Sequence, residues 1–171
     1  MKTIIISLLL GLVAFGANAQ LKTPEWVQNA TIYEVNVRQF SPEGTFAGVQ
    51  AQLPRLKEMG VDILWLMPIH PIGELNRKGS LGSYYAVRDY RDVNPEFGTK
   101  DDFRNLVKAA HQLGMKVILD WVANHTAWDH PWISQHPEWY TKNAAGQITH
   151  PPGTNWQDVA DLDFSKPELH A

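Results

Sequence analysis

Strand-like and helical segments alternate over residues 32–119, and this alternation restricts the possible fold more than any other feature of the chain. The strand-like segments are 32–40 (IYEVNVRQF), 61–67 (VDILWLM) and 115–119 (MKVIL). The last two are almost continuously apolar, which predicts parallel strands buried on both faces. The order β-α-β-α-β with right-handed crossovers fits either a doubly wound sheet or a barrel. The sequence therefore predicts an α/β fold.

Two helical segments connect the predicted strands. Apolar residues recur at helical spacing over 46–59, but Pro54 interrupts the pattern and predicts an irregular helix there. The second helix is predicted to open at Thr99, which together with Asp102 resembles a capping box. Gly114 is the expected stop of this helix.

The alternation stops after residue 120, and residues 121–165 are rich in Trp, Pro, His and Asn. Five of the seven tryptophans lie between positions 121 and 156. A loop of this length inside a compact domain is usually functional. The chain has 171 residues, whereas a complete large barrel needs about 250. Three strands leave two open edges, so the sequence predicts either a small sheet with a covering loop or the front portion of something larger.

Composition excludes several functional classes. Lys plus Arg number 15 and Asp plus Glu number 18, a net charge of -3, so nucleic acid is not an expected partner. The absence of cysteine excludes disulfides, thiolate metal sites and cysteine nucleophiles. No glycine-rich phosphate-binding loop follows a predicted strand, which argues against nucleotide binding.

Residues 1–19 are typical of a secretory signal peptide. An apolar stretch over 4–15 follows a positive start, and Ala17 and Ala19 supply the small-residue cleavage pattern. The apolar stretch is short for a bilayer span, so no stable membrane anchor is expected, with an uncleaved anchor as the alternative. The mature chain is expected to begin at Gln20 and to be exported, either to a periplasm or outside the cell. The sequence leaves the oligomeric state undetermined.

Polar side chains follow the third predicted strand in the segment 120–125 (DWVANH). The carboxyl ends of parallel strands form the active-site rim of α/β folds, so Asp120, Asn124 and His125 are candidates to hold a sugar hydroxyl or a metal. The alternative is a cluster of structural hydrogen bonds at the start of a loop. His70 follows the second strand on the same expected rim, where a structural role is the more common one.

Aromatic residues form a second group of candidates. Tyr84, Tyr85 and Tyr90 surround Asp89 in YYAVRDY, and aromatic rings suit the C–H-lined face of a pyranose. Packing of a loop against the core is the alternative. Four tryptophans of the 121–165 segment could form a carbohydrate-binding platform or the small core of that segment: Trp128, Trp132, Trp139 and Trp156. We expect both uses, with most of these residues structural.

Acidic residues near the end of the 121–165 segment complete the candidates. Asp161 and Asp163 could supply, together with Asn124, the oxygen ligands of a calcium ion, although a solvated turn is the commoner explanation of this pattern. His130 and His136 lack the helical spacing of a zinc motif and are predicted to be surface loop residues.

Taken together, these segments resemble the α-amylase family, the family 13 glycoside hydrolases. The segment 85–99 (YAVRDYRDVNPEFGT) is similar to the family's Y-x-x-x-D-Y…N-P-x-F-G-T stretch, and 120–125 is similar to its D-x-V-x-N-H segment. Segments 30–40 and 60–68 resemble the first two strands of the family's barrel. Residues 160–163 (ADLD) resemble a short L-P-D-L-D segment, with alanine in place of proline.

The resemblance implies a partial (β/α)8 TIM barrel with an irregular B domain inserted after the third strand. Residues 20–120 would be the first part of the catalytic barrel, 121–165 the B domain-like insertion, and 166–171 the start of the next barrel helix. The family's catalytic carboxylates have no matching residues in this chain. The resemblance therefore implies an N-terminal fragment that is inactive by itself.

The resemblance also implies roles for individual residues. Tyr85 and His125 match residues that line the subsite of the sugar ring being cleaved, and Asp120 matches a residue that helps organise the site. Asn124 and Asp161 match positions that bind calcium in many members. The reaction implied for the parent enzyme is retaining hydrolysis of α-1,4-glucosidic bonds in an α-glucan, by two carboxylates about 5–5.5 Å apart.

Three alternatives stay open at this stage. Transglycosylation shares the same motifs as hydrolysis. A carbohydrate-binding protein without catalysis would also explain the tryptophan-rich region. The isolated chain could also lack any function, because its open strand edges favour aggregation.

Overall fold

The computed structural model describes residues 23–170, so the predicted signal peptide lies outside the described residues. A parallel sheet forms the centre of the fold, and its order β1-β2-β3 confirms the predicted β-α-β-α-β arrangement. The strands are β1 (Ile32–Val35), β2 (Ile63–Leu66) and β3 (Lys116–Leu119). Their registers run in phase, with Ile32 opposite Ile63 and Ile63 opposite Lys116. All three strands therefore end level, and the segments that follow them start at one edge.

The first strand is shorter than the sequence predicted. The expectation of a strand over 32–40 is wrong beyond Val35, because a helical turn, α1 (Val37–Phe40), follows. Arg38 in this turn forms an ion pair of 2.7 Å with Glu96 and lies over the ring of Tyr84. These tertiary contacts override the strand propensity of the sequence.

Pro54 divides the first helical segment in two, as the sequence predicted. Helix α2 (Phe46–Ala51) begins after Thr45, whose side chain accepts a hydrogen bond from the Gly48 amide. Helix α3 (Leu53–Glu58) then carries Pro54 in its first turn. A proline is tolerated there because its missing N–H would have no helical partner.

Helix α4 (Lys100–Gln112) confirms the predicted start and stop signals. The Thr99 hydroxyl accepts a hydrogen bond from the Asp102 amide, and the Asp102 carboxylate accepts one from the Thr99 amide. Gly114 follows the helix with a φ of 75°, in the left-handed region that favours glycine. Helix α4 packs on α2 and β3, and the main core lies between the sheet and the helices. Its fully buried members include Phe46, Leu53, Leu64, Leu66 and Leu106.

Strand β3 departs from the expectation of a strand buried on both faces. Ile118 and Leu119 are 44% and 39% exposed, respectively. Within residues 23–170, β3 pairs only with β2, on one side, and forms an edge of the sheet. Its apolar sequence is typical of an interior strand, but the described chain covers only part of its surface.

The segment after residue 120 is less irregular than the sequence predicted. Strand β4 (His125–Ala127) pairs antiparallel with β5 (Val159–Asp161), and a short helix, α5 (Trp132–Gln135), lies between them. Single 3-10 turns lie at Glu25–Val27, Pro137–Trp139 and Pro167–His170. A small core forms around Tyr140, Ala160 and Leu162. No helix within 23–170 has the length and apolar character needed to cross a bilayer.

Candidate functional site

A cleft of about 520 Å³ lies where the sheet meets the β4–β5 pair. This volume falls in the range of small-molecule sites. The walls come from the loop after β2, the segment that follows β3, and the segment that leads into β5. The lining side chains that matter for its chemistry are Lys78, Tyr85, Trp121, His125, Trp156 and Asp158.

Tyr85 and Asp120 meet beside this cleft. The Asp120 amide donates to the carbonyl of Leu66, which extends the β2–β3 ladder and fixes the start of the following segment. The Tyr85 hydroxyl donates to Oδ2 of Asp120 at 2.9 Å. Burial, together with the hydrogen bond and charge of Asp120, raises the pKa of Tyr85 to about 12. Tyr85 therefore stays protonated and acts as a donor at neutral pH.

His125 is buried at the first position of β4 and lines the cleft. Its Nε2 lies 3.0 Å from the carbonyl oxygen of Tyr85. A carbonyl only accepts, so Nε2 carries the proton and Nδ1 presents a lone pair. This Nδ1 is buried and has no partner within the described part of the chain. Burial lowers the pKa of His125, against the opposing effect of the Tyr85 carbonyl, so the ring is neutral at physiological pH.

Tyr90 and Tyr84 are structural, in contrast to Tyr85. The Tyr90 hydroxyl lies 2.7 Å from the carbonyl oxygen of Val122 and 2.9 Å from that of His125. Its single proton is shared between these two acceptors, which holds the segment after β3 in place. Tyr84 lies under the guanidinium of Arg38 and against Phe97. Of the three tyrosines in the motif, Tyr85 alone lines the cleft.

The tryptophans divide between the cleft and the small core. Trp121 and Trp156 line the cleft and are 68% and 43% exposed. Trp156 stands edge-on to His125, with 5.7 Å between ring centroids. Three others, Trp128, Trp132 and Trp139, pack around the core of the 121–165 segment. This distribution agrees with the mixed use that the sequence suggested, and Trp121 is the member that sequence reasoning did not single out.

The two candidate calcium ligands come together through the β4–β5 pairing. The amide of Leu162 donates to the backbone carbonyl of Asn124, and Asp161 lies opposite His125. Asn124 offers an amide oxygen and Asp161 a carboxylate from these adjoining backbone positions. Amide and carboxylate oxygens suit calcium, which takes six to eight such ligands. The described residues contain no group of three or more acidic or histidine side chains around them, so further ligands would have to be carbonyls or water.

Asp163 has a different role from Asp161. Its Oδ1 accepts a hydrogen bond from the Ser165 amide at 3.0 Å, and Oδ2 lies 3.5 Å from Nζ of Lys166. The hydrogen bonds from Ser165 lower the pKa of this carboxyl group. Asp163 therefore stabilises a turn, which is the commoner explanation of two carboxylates at this spacing.

The remaining histidines lie outside the cleft lining. His70 donates from Nδ1 to the carbonyl of Asp92 at 2.9 Å, a structural hydrogen bond. The prediction that His130 is a surface residue is wrong: it is 5% exposed, and its Nδ1 accepts from the Trp132 amide. Burial against Tyr90 and Trp132 lowers the pKa of His130 to about 4. His136 is partly exposed and stacks on Trp139 at 3.9 Å.

Sequence reasoning missed an ion pair in the cleft wall. Nζ of Lys78 lies 2.9 Å from Oδ1 of Asp158, and the Asp158 side chain is only 5% exposed. Lys78 comes from the polar loop after β2, whereas Asp158 directly precedes β5. No local pattern marks either residue, because the pair exists only once the two segments are folded together.

Comparison with known proteins gives a consistent picture. Residues 17–160 match the family model described as the α-amylase catalytic domain. The chain is 42% identical over 158 residues to an α-1,4-glucan:maltose-1-phosphate maltosyltransferase of Rhodospirillum rubrum, a match covering 81% of this chain and 23% of that protein. It is similar to the solved structure of an α-amylase from Lactobacillus plantarum, with 55% identity and a TM-score of 0.81. A noncanonic maltogenic α-amylase from Thermotoga neapolitana gives 43% identity and a TM-score of 0.76.

The extent of these matches bears on the fold. Both solved structures are matched over 84% of this chain but only 34% of theirs. The chain thus spans about a third of the length of these relatives, and about a quarter of the curated one. A partial barrel fits the parallel three-stranded sheet and its helices.

Proposed function

Because this chain belongs to the α-amylase family, we propose that the protein carrying it is an exported hydrolase of α-glucans that cleaves α-1,4-glucosidic bonds with retention. The observation that supports this most directly is the cleft in which Tyr85, Asp120 and His125 are joined by hydrogen bonds. Tyr85 offers the face of its aromatic ring to a pyranose. Asp120 holds the tyrosine in place by accepting a hydrogen bond from the Tyr85 hydroxyl.

The nucleophile and the general acid are proposed to come from outside these 171 residues. Retaining hydrolysis needs two carboxyl groups about 5–5.5 Å apart on either side of the scissile bond. Asp158 is the acidic residue among those that line the described cleft, and it pairs with Lys78. Asp120, next to the lining residue Trp121, accepts a hydrogen bond from Tyr85. The isolated chain is therefore proposed to provide part of the sugar-binding wall without cleaving its substrate.

Glycosyl transfer is the second candidate function. It is favoured by one observation, the similarity to a protein named as an α-1,4-glucan:maltose-1-phosphate maltosyltransferase. In such an enzyme a glucan hydroxyl, in place of water, would accept the sugar. Tyr85, Asp120 and His125 are proposed to bind the sugar in either reaction.

The test is an assay of the complete gene product, with and without its first 19 residues. It is incubated with maltoheptaose alone, and then with maltose 1-phosphate and maltoheptaose together. Hydrolysis predicts shorter α-configured maltooligosaccharides from maltoheptaose, seen by ¹H NMR of the anomeric protons. Elongated glucan with release of phosphate would instead assign transfer. Absence of both products would contradict the proposal, and binding without turnover would favour a carbohydrate-binding role.

Export and calcium are parts of the same proposal. Export rests on the secretory pattern of residues 1–19, and N-terminal sequencing of protein from the culture medium or periplasm tests it. A mature terminus at Gln20 supports cleavage, and an intact Met1 terminus in the membrane fraction contradicts it. Calcium rests on the oxygen donors of Asn124 and Asp161.

A further inference from the structure

We propose that Lys78 is an additional substrate-binding residue of the cleft, positioned by Asp158, and that it donates hydrogen bonds to hydroxyl groups of an α-linked glucose oligosaccharide. This inference rests on the proposed function and adds a recognition element that the sequence motifs do not include. The geometry of the Lys78–Asp158 pair at the cleft wall supports this inference.

The pair joins two segments that are distant in the sequence. Lys78 belongs to the loop after β2, and Asp158 immediately precedes β5, with 2.9 Å between Nζ and Oδ1. Both residues line the same cleft as Tyr85 and His125. The contact therefore sets the distance between two walls of that cleft.

Burial differs sharply between the two partners. The Asp158 side chain is 5% exposed, whereas that of Lys78 is 48% exposed. A buried carboxylate is costly unless it is paired, so Asp158 keeps a cation beside it. Asp158 is fixed by the adjoining strand β5, and the charge attraction fixes the ammonium group of Lys78 in turn.

The ammonium group retains donors after this contact. An ammonium has three N–H groups, and one directed at Asp158 leaves two for water or a ligand. Two other donors of the cleft are already used, since Tyr85 donates to Asp120 and Nε2 of His125 donates to the Tyr85 carbonyl. Lys78 is the only lysine or arginine among the described residues that line the cleft.

The surroundings of Lys78 favour a neutral sugar over an anion. Tyr85, Trp121 and Trp156 supply aromatic surface, and a sugar presents both an apolar face and hydroxyl acceptors. Asp158 compensates the charge of Lys78, and Asp120 adds a further negative charge near Tyr85. An anionic group would meet this negative charge, whereas a hydroxyl oxygen would accept from Lys78 without that repulsion.

The experiment uses the complete gene product and the variants Lys78→Met, Asp158→Asn and their combination. Calorimetric titration with maltose gives Kd, and assays with maltoheptaose give KM and kcat. We expect Lys78→Met to raise Kd and KM about tenfold, because the variant loses a hydrogen bond from a charged donor. The change in kcat should be smaller. Lys142→Met is the matched control, because Lys142 lies in the same segment as Asp158 but outside the cleft lining. The Kd of this variant for maltose should stay unchanged.

The double variant tests the positioning role of Asp158. If Asp158 acts through Lys78, Asp158→Asn weakens binding in the wild-type background but adds little to Lys78→Met. A lower Tm with unchanged Kd in the folded Lys78→Met variant would overturn the inference and leave the pair purely structural. If Lys78→Met weakens the binding of inorganic phosphate but leaves the binding of maltose unchanged, the inference is also overturned, in favour of an anion site. A wild-type protein that neither binds nor cleaves any α-glucan would overturn the proposed function itself, before any variant is compared.

Discussion

At the scale of single residues, the cleft is built by polar groups whose protons are already committed to neighbours. Tyr90 holds two backbone carbonyls of the segment after β3, and Tyr85 holds Asp120. His125 is fixed by the carbonyl of Tyr85. Because each of these side chains has a partner, the binding surface is organised before a ligand arrives, and less ordering entropy is lost on binding.

Removal of the Tyr85 hydroxyl tests this organisation. In the complete protein, Tyr85→Phe keeps the ring but leaves Asp120 without its donor. We expect kcat/KM for maltoheptaose to fall about tenfold, since hydrogen bonds to charged groups contribute about 1.5–3 kcal/mol. Tyr84→Phe is the matched control, because Tyr84 lies outside the cleft lining. Equal activity of Tyr85→Phe and wild type would show that the hydroxyl is dispensable.

The buried His130 predicts a pH dependence of stability. Its pKa of about 4 in the folded protein lies below the ordinary value of 6.5, so the unfolded chain binds more protons between these pH values. The free energy of unfolding should therefore fall as the pH drops from about 6.5 to 4, with a contribution from His130 of about 3 kcal/mol. This stabilisation is fully present above pH 7.

Nuclear magnetic resonance gives the direct measurement. The imidazole signals of His130 should titrate near pH 4. His130→Asn keeps a side-chain acceptor for the Trp132 amide and should flatten the pH profile of unfolding. A pKa of His130 near 6.5 in the folded protein would refute the proposed burial effect.

At the scale of elements, short pairings bring distant residues together. The β4–β5 pair is only three residues long on each side, yet it brings Asn124 and Asp161 together and carries His125 into the cleft. The Thr99–Asp102 cap similarly fixes where α4 begins. These elements are small, so their positions depend on neighbouring contacts more than on intrinsic propensity.

Calcium binding is predicted at the β4–β5 pair. If Asn124 and Asp161 ligate the ion, millimolar calcium should raise the Tm of the protein and EDTA should lower it, because a ligand that binds only the folded state stabilises it. Asp161→Ala should abolish this response. Asp163→Ala is the matched control, since Asp163 holds a turn next to the pair. An unchanged Tm in wild-type protein with calcium or EDTA would contradict the prediction.

Local signals in the sequence predicted the elements that local chemistry controls. The Thr99–Asp102 box, the Pro54 interruption and Gly114 all have the predicted effects. The helical turn after Val35 was not predictable, because Arg38 finds its partner Glu96 in a distant segment. Strand order placed Asp120 at the rim of the sheet, and only the family resemblance assigned Tyr85 and Asp120 to one site.

Contacts between distant segments account for what sequence reasoning missed. The burial of His130 depends on Tyr90, and the Lys78–Asp158 pair depends on contact between the loop after β2 and the segment before β5. Neither has a periodic or motif-like signal. The assignment of Tyr85, His125 and Asp120 to sugar binding stays a prediction, although the structure brings all three to one site.

At the scale of the whole molecule, the described chain leaves the open edge of β3 and the face of the sheet that carries Ile118 partly uncovered. Ile118 is 44% exposed, and Leu119, the next residue of the strand, is 39% exposed and points to the opposite face. The solved relatives are about three times as long as the matched region. We expect the rest of the complete protein to cover this face, as in a closed barrel.

The substitution Ile118→Lys should have opposite effects in the isolated 171-residue chain and in the complete protein. In the isolated 171-residue chain, a charge on the exposed edge should reduce self-association, measured by analytical ultracentrifugation. In the complete protein, the same charge would be buried and should lower Tm by several degrees. Lys116→Arg, in the same strand, is the control. A neutral effect in the complete protein would contradict the idea that this face is covered.

The pairing of β4 with β5 has a consequence for how such proteins diversify. The intervening segment leaves at Ala127 and returns at Val159, which lie opposite each other. The free energy of closing a loop rises by only about 0.6 kcal/mol for each doubling of its length. Inserted residues at its exposed turn around Gly146 would therefore leave the anchor points unchanged. Selection, or a protein engineer, can therefore lengthen this turn while the residues that the segment contributes to the cleft, Trp156 and Asp158, keep their places.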